Sequence, residues 1–208
     1  MNPGELLTLT GFYKYIVNPI GRVDQGNSAG LLTYDNISDH AVVSGLEFEI
    51  RKNLFNRFNT QLEKMNRLSV GLNASYIYTN LTLDMLNTEP RSSSLEGASP
   101  FLANLDFSYT HTKKEKSFVA SIIFNYFSHR IHTVGAKGFK DIIEEGLPSL
   151  DFASSYSLNN HLSLKLKAKN LLNASYRFSR ESSLLDEKII LNELKKGINI
   201  SLGASYEF

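Results

Sequence analysis

The sequence predicts an all-β fold, an antiparallel up-and-down transmembrane β-barrel segment of about eight strands. Three observations carry that prediction. The closing stretch alternates without fault, with Ile198, Ile200, Leu202, Ala204, Tyr206 and Phe208 on one face and Asn199, Ser201, Gly203, Ser205 and Glu207 on the other. The strands run about ten to twelve residues, above the usual five or six and long enough for a tilted crossing of hydrocarbon. The connections are sorted by parity: long after the first, third, fifth and seventh strands, short after the others. A Greek-key sandwich would not sort its loops this way.

The first strand, Leu6 to Ile16, sets Leu7, Leu9, Gly11, Tyr13 and Tyr15 against Leu6, Thr8, Thr10, Phe12, Lys14 and Ile16, and its faces are the least distinct. Asn18-Pro19 ends it. A long polar loop with turn formers Gly26, Asn27, Gly30 and Asn36 reaches His40. Val42 to Lys52 places Leu46, Phe48 and Ile50 opposite Glu47, Glu49 and Arg51. The following connection suggests a helical turn around Phe58 to Met65. From Arg67, Leu68, Val70, Leu72, Ala74, Tyr76 and Tyr78 form an apolar face whose two tyrosines suit an interfacial girdle, where the ring is apolar and the hydroxyl wet.

Leu81 to Ser99 reads as a second long loop. Leu105, Phe107 and Tyr109 then pair, across the turn Lys113-Lys114-Glu115-Lys116, with Phe118, Ala120, Ile122, Phe124 and Tyr126 as a hairpin. A third long loop, Ser128 to Leu147, carries Asp141 to Glu145 as a second expected helical turn. Leu150, Phe152 and Tyr156 lead through Asn159-Asn160-His161 to Leu162, Leu164, Leu166 and Ala168, which alternate with Ser163, Lys165, Lys167 and Lys169. That lysine ladder reads as a solvated face, ahead of a ligand-facing stripe. Ala174 to Lys196 forms the fourth long loop.

Composition narrows the classes. A net charge of +1 over 208 residues, with no basic patch, argues against nucleic acid. The absence of cysteine removes disulfides and thiol chemistry. No run of about eighteen apolar residues exists, so no spanning helix is expected. The mean hydropathy of −0.20 does not separate a soluble protein from a barrel whose lipid face uses alternate residues. Met1 to Glu5 is not a signal peptide, so an outer-membrane reading expects the true N-terminus upstream.

Several stretches, in order, resemble the C-terminal barrel of TonB-dependent outer-membrane receptors, especially of the Bacteroidetes type. Gly11 to Tyr15 with Asn18-Pro19-Ile20 is similar to a strand end of that family, and Ser44 to Glu49 to one of its strands. Gly97-Ala98-Ser99-Pro100-Phe101 with Asn104-Leu105 resembles its "GqSPy…Nl" element, Ala98 departing from the usual Gln. Asn125 with Arg130-Ile131, then Asn170 to Asn173, and the terminal strand complete the series. The resemblance implies a barrel of about 22 strands with a plug domain in its lumen. It implies import of a scarce ligand, such as a ferric siderophore, cobalamin or a glycan, with energy delivered by TonB through the plug, and location in a Gram-negative outer membrane. On that basis residues 1–208 are the C-terminal portion of the barrel, without the plug and the N-terminal strands. Charges such as Glu47, Glu49, Arg51 and the three lysines would crowd a closed eight-stranded barrel, and a wide lumen accommodates them.

Ile200, Leu202, Ala204, Tyr206 and Phe208 resemble the assembly signal read by the outer-membrane insertion machinery; an apolar edge strand ending on an aromatic can be captured by strand pairing. The bland alternative is a closing strand with no recognition role. In the outward loops, Arg130 and His132, and Arg177 and Arg180, are candidates for an anionic extracellular ligand, against the reading that each is a solvated loop cation. His111, His129, His132 and His161 have no metal or catalytic spacing, so no metal, cofactor or enzymatic role is expected. The Asn-x-Ser/Thr matches at Asn36, Asn73, Asn80, Asn173 and Asn199 reflect composition. Two rivals stand: a small autonomous outer-membrane barrel, enzyme or adhesin, for which His129 and His132 at the rim are the residues to test, and a soluble β-sandwich binding module, which would stay monodisperse without detergent.

Overall fold

A computed structural model describes residues 4–26, 30–84, 89–136, 138–182 and 187–208. In chain order the strands are β1 (Leu6–Val17), β2 (Ile20–Asp24), β3 (Leu32–Asn36), β4 (His40–Asn59), β5 (Lys64–Leu83), β6 (Arg91–Ser93), β7 (Phe101–Lys113), β8 (Lys116–Phe127), β9 (Arg130–Gly135), β10 (Ile142–Glu144), β11 (Leu147–Ser157), β12 (Leu162–Lys169), β13 (Tyr176–Glu181), β14 (Lys188–Leu194) and β15 (Asn199–Tyr206). Eight of them form an antiparallel wall in the order β1-β4-β5-β7-β8-β11-β12-β15, with β6 added to the end of β5. Every wall neighbour is a sequence neighbour among the eight, so the predicted up-and-down order and the alternation of long and short connections are both present. The wall does not close: among the described residues β1 pairs only with β4, and β15 only with β12.

Register turns the period-two pattern into two chemically distinct faces. Leu7, Ile50, Leu72, Leu105, Phe124 and Leu150 are successive Cα partners across six strands, and direct partners point to the same side. That face is bare of protein. On interior strands Leu46 is 56% exposed, Ile122 48% and Phe107 42%, which no second packed sheet would allow. Phe101 and Tyr109 on β7, like Phe118 and Tyr126 on β8, stand eight residues apart on this face. At 3.3–3.4 Å per residue and a tilt of about 40°, they bracket a band roughly 20 Å tall, close to the lipid-facing band of outer-membrane barrels. Tyr13, Tyr15, Tyr76 and Tyr78 join the aromatic row at the long-loop end, and Tyr156 and Tyr206 the row at the short-turn end.

The opposite face is polar and partly knit together. Ser108 and Ser121 share a hydrogen bond of 2.9 Å, Asn125 donates to Ser149 at 3.3 Å, and Ser163 and Ser205 lie 2.6 Å apart. Arg51 pairs with Glu49 on its own strand at 2.9 Å.

The long connections are not irregular, as the sequence suggested. Their short strands assemble a second sheet of six, in the order β14-β13-β10-β9-β2-β3, with β2 and β9 parallel. Its apolar residues make the buried core: Val23, Ile37, Ile131, Val134 and Ala136 pack with Ala41, Leu81 and Leu83. Ala41 and Leu81 are partners in register and share the polar face with Glu47 and Ser75. The loop sheet therefore leans over the inner side of the wall at its outward end.

Neither expected helical turn forms, and each stretch is built into strands instead. Phe58 pairs with Met65 as β4 and β5 continue to a tight turn, where the Asn59 side chain accepts the Leu62 N–H at 3.0 Å. Ile142 and Ile143 pair with β9 across a bulge, while the Asp141 carboxylate accepts the Gly135 N–H at 2.8 Å. Cross-strand partners outweigh the local spacing in each case.

Candidate functional site

Four outward connections meet in one body held by ion pairs that join different loops. Arg22 of the first pairs with Glu96 of the second at 3.6 Å and also donates to the backbone carbonyl of His132 in the third. Arg91 of the second pairs with Asp141 of the third. Arg180 of the fourth pairs with Asp24 of the first, and Lys188 and Ser179 of the fourth both reach Glu145 of the third. Every loop is thereby tied to at least two others.

Each cation or histidine singled out in the loops has a defined place here. Arg130 donates through Nε to Glu144 at 2.7 Å and lies 4.7 Å over the Phe127 ring. His132 packs against Phe178, ring centroids 4.4 Å apart. Arg177 pairs with Glu193 at 3.1 Å and keeps half its side chain exposed. Arg180 is the most enclosed, paired with Asp24 and 5.3 Å over Phe139. His132 and Phe178, and Arg180 and Ile142, bring the third and fourth loops together; sequence spacing did not group them. The acidic partners Asp24, Glu96, Asp141, Glu144 and Glu145 were missed, because pairs so distant in sequence leave no local signature. Asp24 and Arg180 are 156 residues apart.

The charge states follow from these contacts. Burial pushes the Asp24 carboxyl up, but the Arg180 hydrogen bond and the Gly26 N–H outweigh it and hold the group below the usual carboxylate range. Glu145 is likewise raised by burial and lowered further by Lys188 and Ser179. At the exposed rim, Ser175 and Arg177 hold Glu193 down. Burial, then the Arg22 guanidinium, lowers His132 despite the opposing pull of Glu144.

These shifts share one sign. A histidine lowered in the fold is protonated first in the opened state, so its contribution is complete above about pH 6.5 and fades as pH falls through that value. The lowered carboxylates contribute fully above about pH 4 and fade below it. Hydrogen exchange in β9, β10 and β13, corrected for intrinsic rates, is expected to accelerate in two stages on acidification from neutrality, near pH 6.5 and below about pH 4. His132→Phe removes the first stage only. Exchange that is flat down to pH 5 in the unaltered protein would contradict this.

At the opposite end, β15 finishes beside the β11–β12 turn. Glu207 donates its N–H to the His161 carbonyl at 2.9 Å, and His161 Nδ1 lies 2.8 Å from the Glu207 carbonyl oxygen. The His161 and Phe208 rings flank Tyr206, with centroids 6.0 and 5.2 Å away. Ile200, Leu202, Tyr206 and Phe208 are all more than half exposed on the apolar side, Phe208 fully. The sequence carried a signal for this clamp in Asn159, whose side chain accepts the N–H groups of His161 and Leu162 and fixes the turn. Among the described residues, no group of three or more His, Asp or Glu is placed to hold a metal ion.

A family profile described as "TonB dependent receptor-like, beta-barrel" matches residues 1–171, which takes in the wall from β1 through β12 and the first three long loops. No curated protein and no solved structure matches the chain. The open antiparallel wall, its lipid-facing band, its polar inner side and this match agree, and the chain belongs to the TonB-dependent receptor β-barrel family of outer-membrane receptors and transporters.

Proposed function

We propose that residues 1–208 supply the C-terminal portion of a larger barrel, with a plug in its lumen and further strands before β1, that imports a scarce ligand using energy delivered by TonB. The ligand class is that of ferric siderophores, cobalamin or glycans. The supporting observation is the wall's inner face, which carries charges on β4, β7, β11 and β12, while among the described residues both sheet edges stay unpaired. A small closed barrel fills its interior with side chains, whereas Glu47, Glu49, Lys165, Lys167 and Lys169 suit a wide lumen. The outward loop body is the ligand-facing platform. Arg177 and Arg130, partly exposed, meet an anionic group, and Arg180 and His132 hold the platform's shape.

The experiment compares uptake of labelled ferric siderophores, cobalamin and oligosaccharides by cells with the intact full-length gene, a deletion of it, and a strain lacking TonB. Uptake of one class that needs both the gene and TonB supports the reading. Equal uptake of all classes in the three strains would reject it.

For β15, the reading as an assembly signal predicts that removing Phe208 lowers the amount of folded, heat-modifiable receptor in outer-membrane fractions, with unfolded chain degraded in the periplasm. Glu207→Gln, on the polar side, leaves that amount unchanged. Equal amounts for both variants would reduce β15 to a closing strand.

A further inference from the structure

We propose that Arg57, Lys64, Lys113 and Lys116 form a cationic ledge on the lipid-facing side of the wall that gathers anionic phospholipid head groups in the leaflet at the short-turn end. Register places all four on that side. Arg57, Asn66, His111 and Phe118 are successive Cα partners, one row beyond Phe55, Leu68 and Tyr109. Lys64, Lys113 and Lys116 make the next row, again in register. The alternation that gives this side leucine, valine and phenylalanine along β5, β7 and β8 thus turns cationic at one end of all three strands. Lys116 lies two residues beyond Phe118 and Lys113 four beyond Tyr109, so at a tilt of about 40° their Cα atoms sit roughly 5–10 Å past the aromatic row. The head-group layer is roughly 5–8 Å deep on each side of the hydrocarbon, so the ledge lies at the level of the lipid phosphates.

The chain itself leaves this charge uncompensated. Arg57, Lys113 and Lys116 are exposed, Lys64 is half-buried, and among the described residues none of the four makes an ion pair. The loop arginines 22, 91, 130, 177 and 180 each have a carboxylate. Lys114 at the β7–β8 turn donates its N–H to the Glu63 carbonyl at the β4–β5 turn, at 3.1 Å, and this bond holds the two hairpins side by side so that their cations share one surface. The polar groups between the ledge and the hydrocarbon are already engaged: the Asn66 side-chain oxygen accepts from the Tyr109 hydroxyl at 3.2 Å and lies 2.6 Å from His111 Nδ1. The long-loop end differs. Beyond Tyr13 and Tyr78, the same side of β1, β4 and β5 carries Val42, His40 and Asn80, and no Lys or Arg among the described residues. The cations are therefore specific to one leaflet. A dissolved anion would find a flat ledge with nothing to enclose it, whereas a lipid is held at this depth by its own chains and needs only the charge.

The test uses the full-length receptor in phosphatidylcholine nanodiscs doped with a lipid that carries a photoactivatable diazirine near its glycerol backbone. Peptides spanning residues 57–66 and 109–118 are expected to label about fivefold more from photoactivatable phosphatidylglycerol than from photoactivatable phosphatidylcholine at equal mole fraction, the ratio that one cation beside an anionic surface supplies. Peptides containing Tyr13 and Tyr78 should label equally from both lipids. The preference should collapse in about 1 M salt, where the screening length is about 3 Å. The variant K64Q/K113Q/K116Q, checked for folding by heat-modifiability, should lose it, and Arg67→Gln, on the inner side of β5, should keep it. Equal labelling by the two lipids in the unaltered receptor would mean a merely solvated ledge and would overturn the inference. Equal preference at both ends of the wall would overturn it as well, since the short-turn cations would then select nothing. Loss of the preference on adding millimolar inorganic phosphate at matched ionic strength would assign the ledge to a dissolved anion and overturn it too. The readout involves no transport, so it is independent of the ligand and the energy source proposed above.

Discussion

Ile122→Lys in the full-length receptor, refolded into lipid vesicles and titrated with urea, is expected to destabilise the barrel by about 2–4 kcal/mol. Ile122 lies midway between Phe118 and Tyr126 on the lipid-facing side of β8, is 48% exposed, and has Phe107 and Phe152 as cross-strand partners. An ammonium there sits at the centre of the hydrocarbon. The neighbouring residue is the control. Ile123 points to the inner side, between Asp106 and Asp151 in register, so Ile123→Lys gains carboxylates and should change stability by no more than about 0.5 kcal/mol. Phe101→Lys, in the outward aromatic row, should cost only about 0–1 kcal/mol because its depth is interfacial. This dependence on depth identifies lipid as the covering medium. A face buried by protein would make Ile122→Lys and Phe101→Lys comparably damaging, and that result would remove the membrane assignment of the wall.

The same alternation explains how much was legible in the sequence. On β15, β8 and β5 each side chain's face is set by a medium on one side and a lumen on the other, so identity follows parity over many residues. Loop parity was legible for a related reason: Lys113 to Lys116 and Asn159 to His161 are turns too short to be anything else. The loop sheet was hidden because its strands are short and pair with segments far away in the chain. β10 is three residues long and sits between β9 and β13, so nothing local in Asp141 to Glu145 distinguishes it from a helical turn. Phe58 misled for another reason. It is 68% exposed beyond the band, and an apolar residue there mimics one face of a short amphipathic helix. The four candidate loop residues were visible as cations and a histidine; their carboxylate and ring partners depend on which loops touch, which only the fold decides.

Arg180→Met is expected to loosen the outward loop body while leaving the wall intact. Asp24 is 8% exposed, and with Arg180 removed its carboxylate would be left buried beside the Gly26 N–H alone. Removing one member of a buried pair costs about 3–5 kcal/mol, because the remaining charge is desolvated without compensation. Hydrogen exchange in β2, β9 and β13 should therefore accelerate by about two to four powers of ten at neutral pH, with β7 and β8 unchanged. The pH dependence supplies an internal check. Without the guanidinium, burial is the leading influence on Asp24 and raises its pKa, so the carboxyl takes up a proton on mild acidification and the penalty shrinks. The difference between variant and parent should thus be largest near neutrality and small below about pH 4, where the parent pair is also fading. Asp24→Asn together with Arg180→Met should restore most of the lost protection, since neither side chain is then a stranded charge. If Arg180→Met shifts exchange by less than about tenfold, the pair is effectively solvated. The four loops would then be held by the Val23, Ile37, Ile131 and Val134 core, and the ion pairs would serve only to set which loops meet.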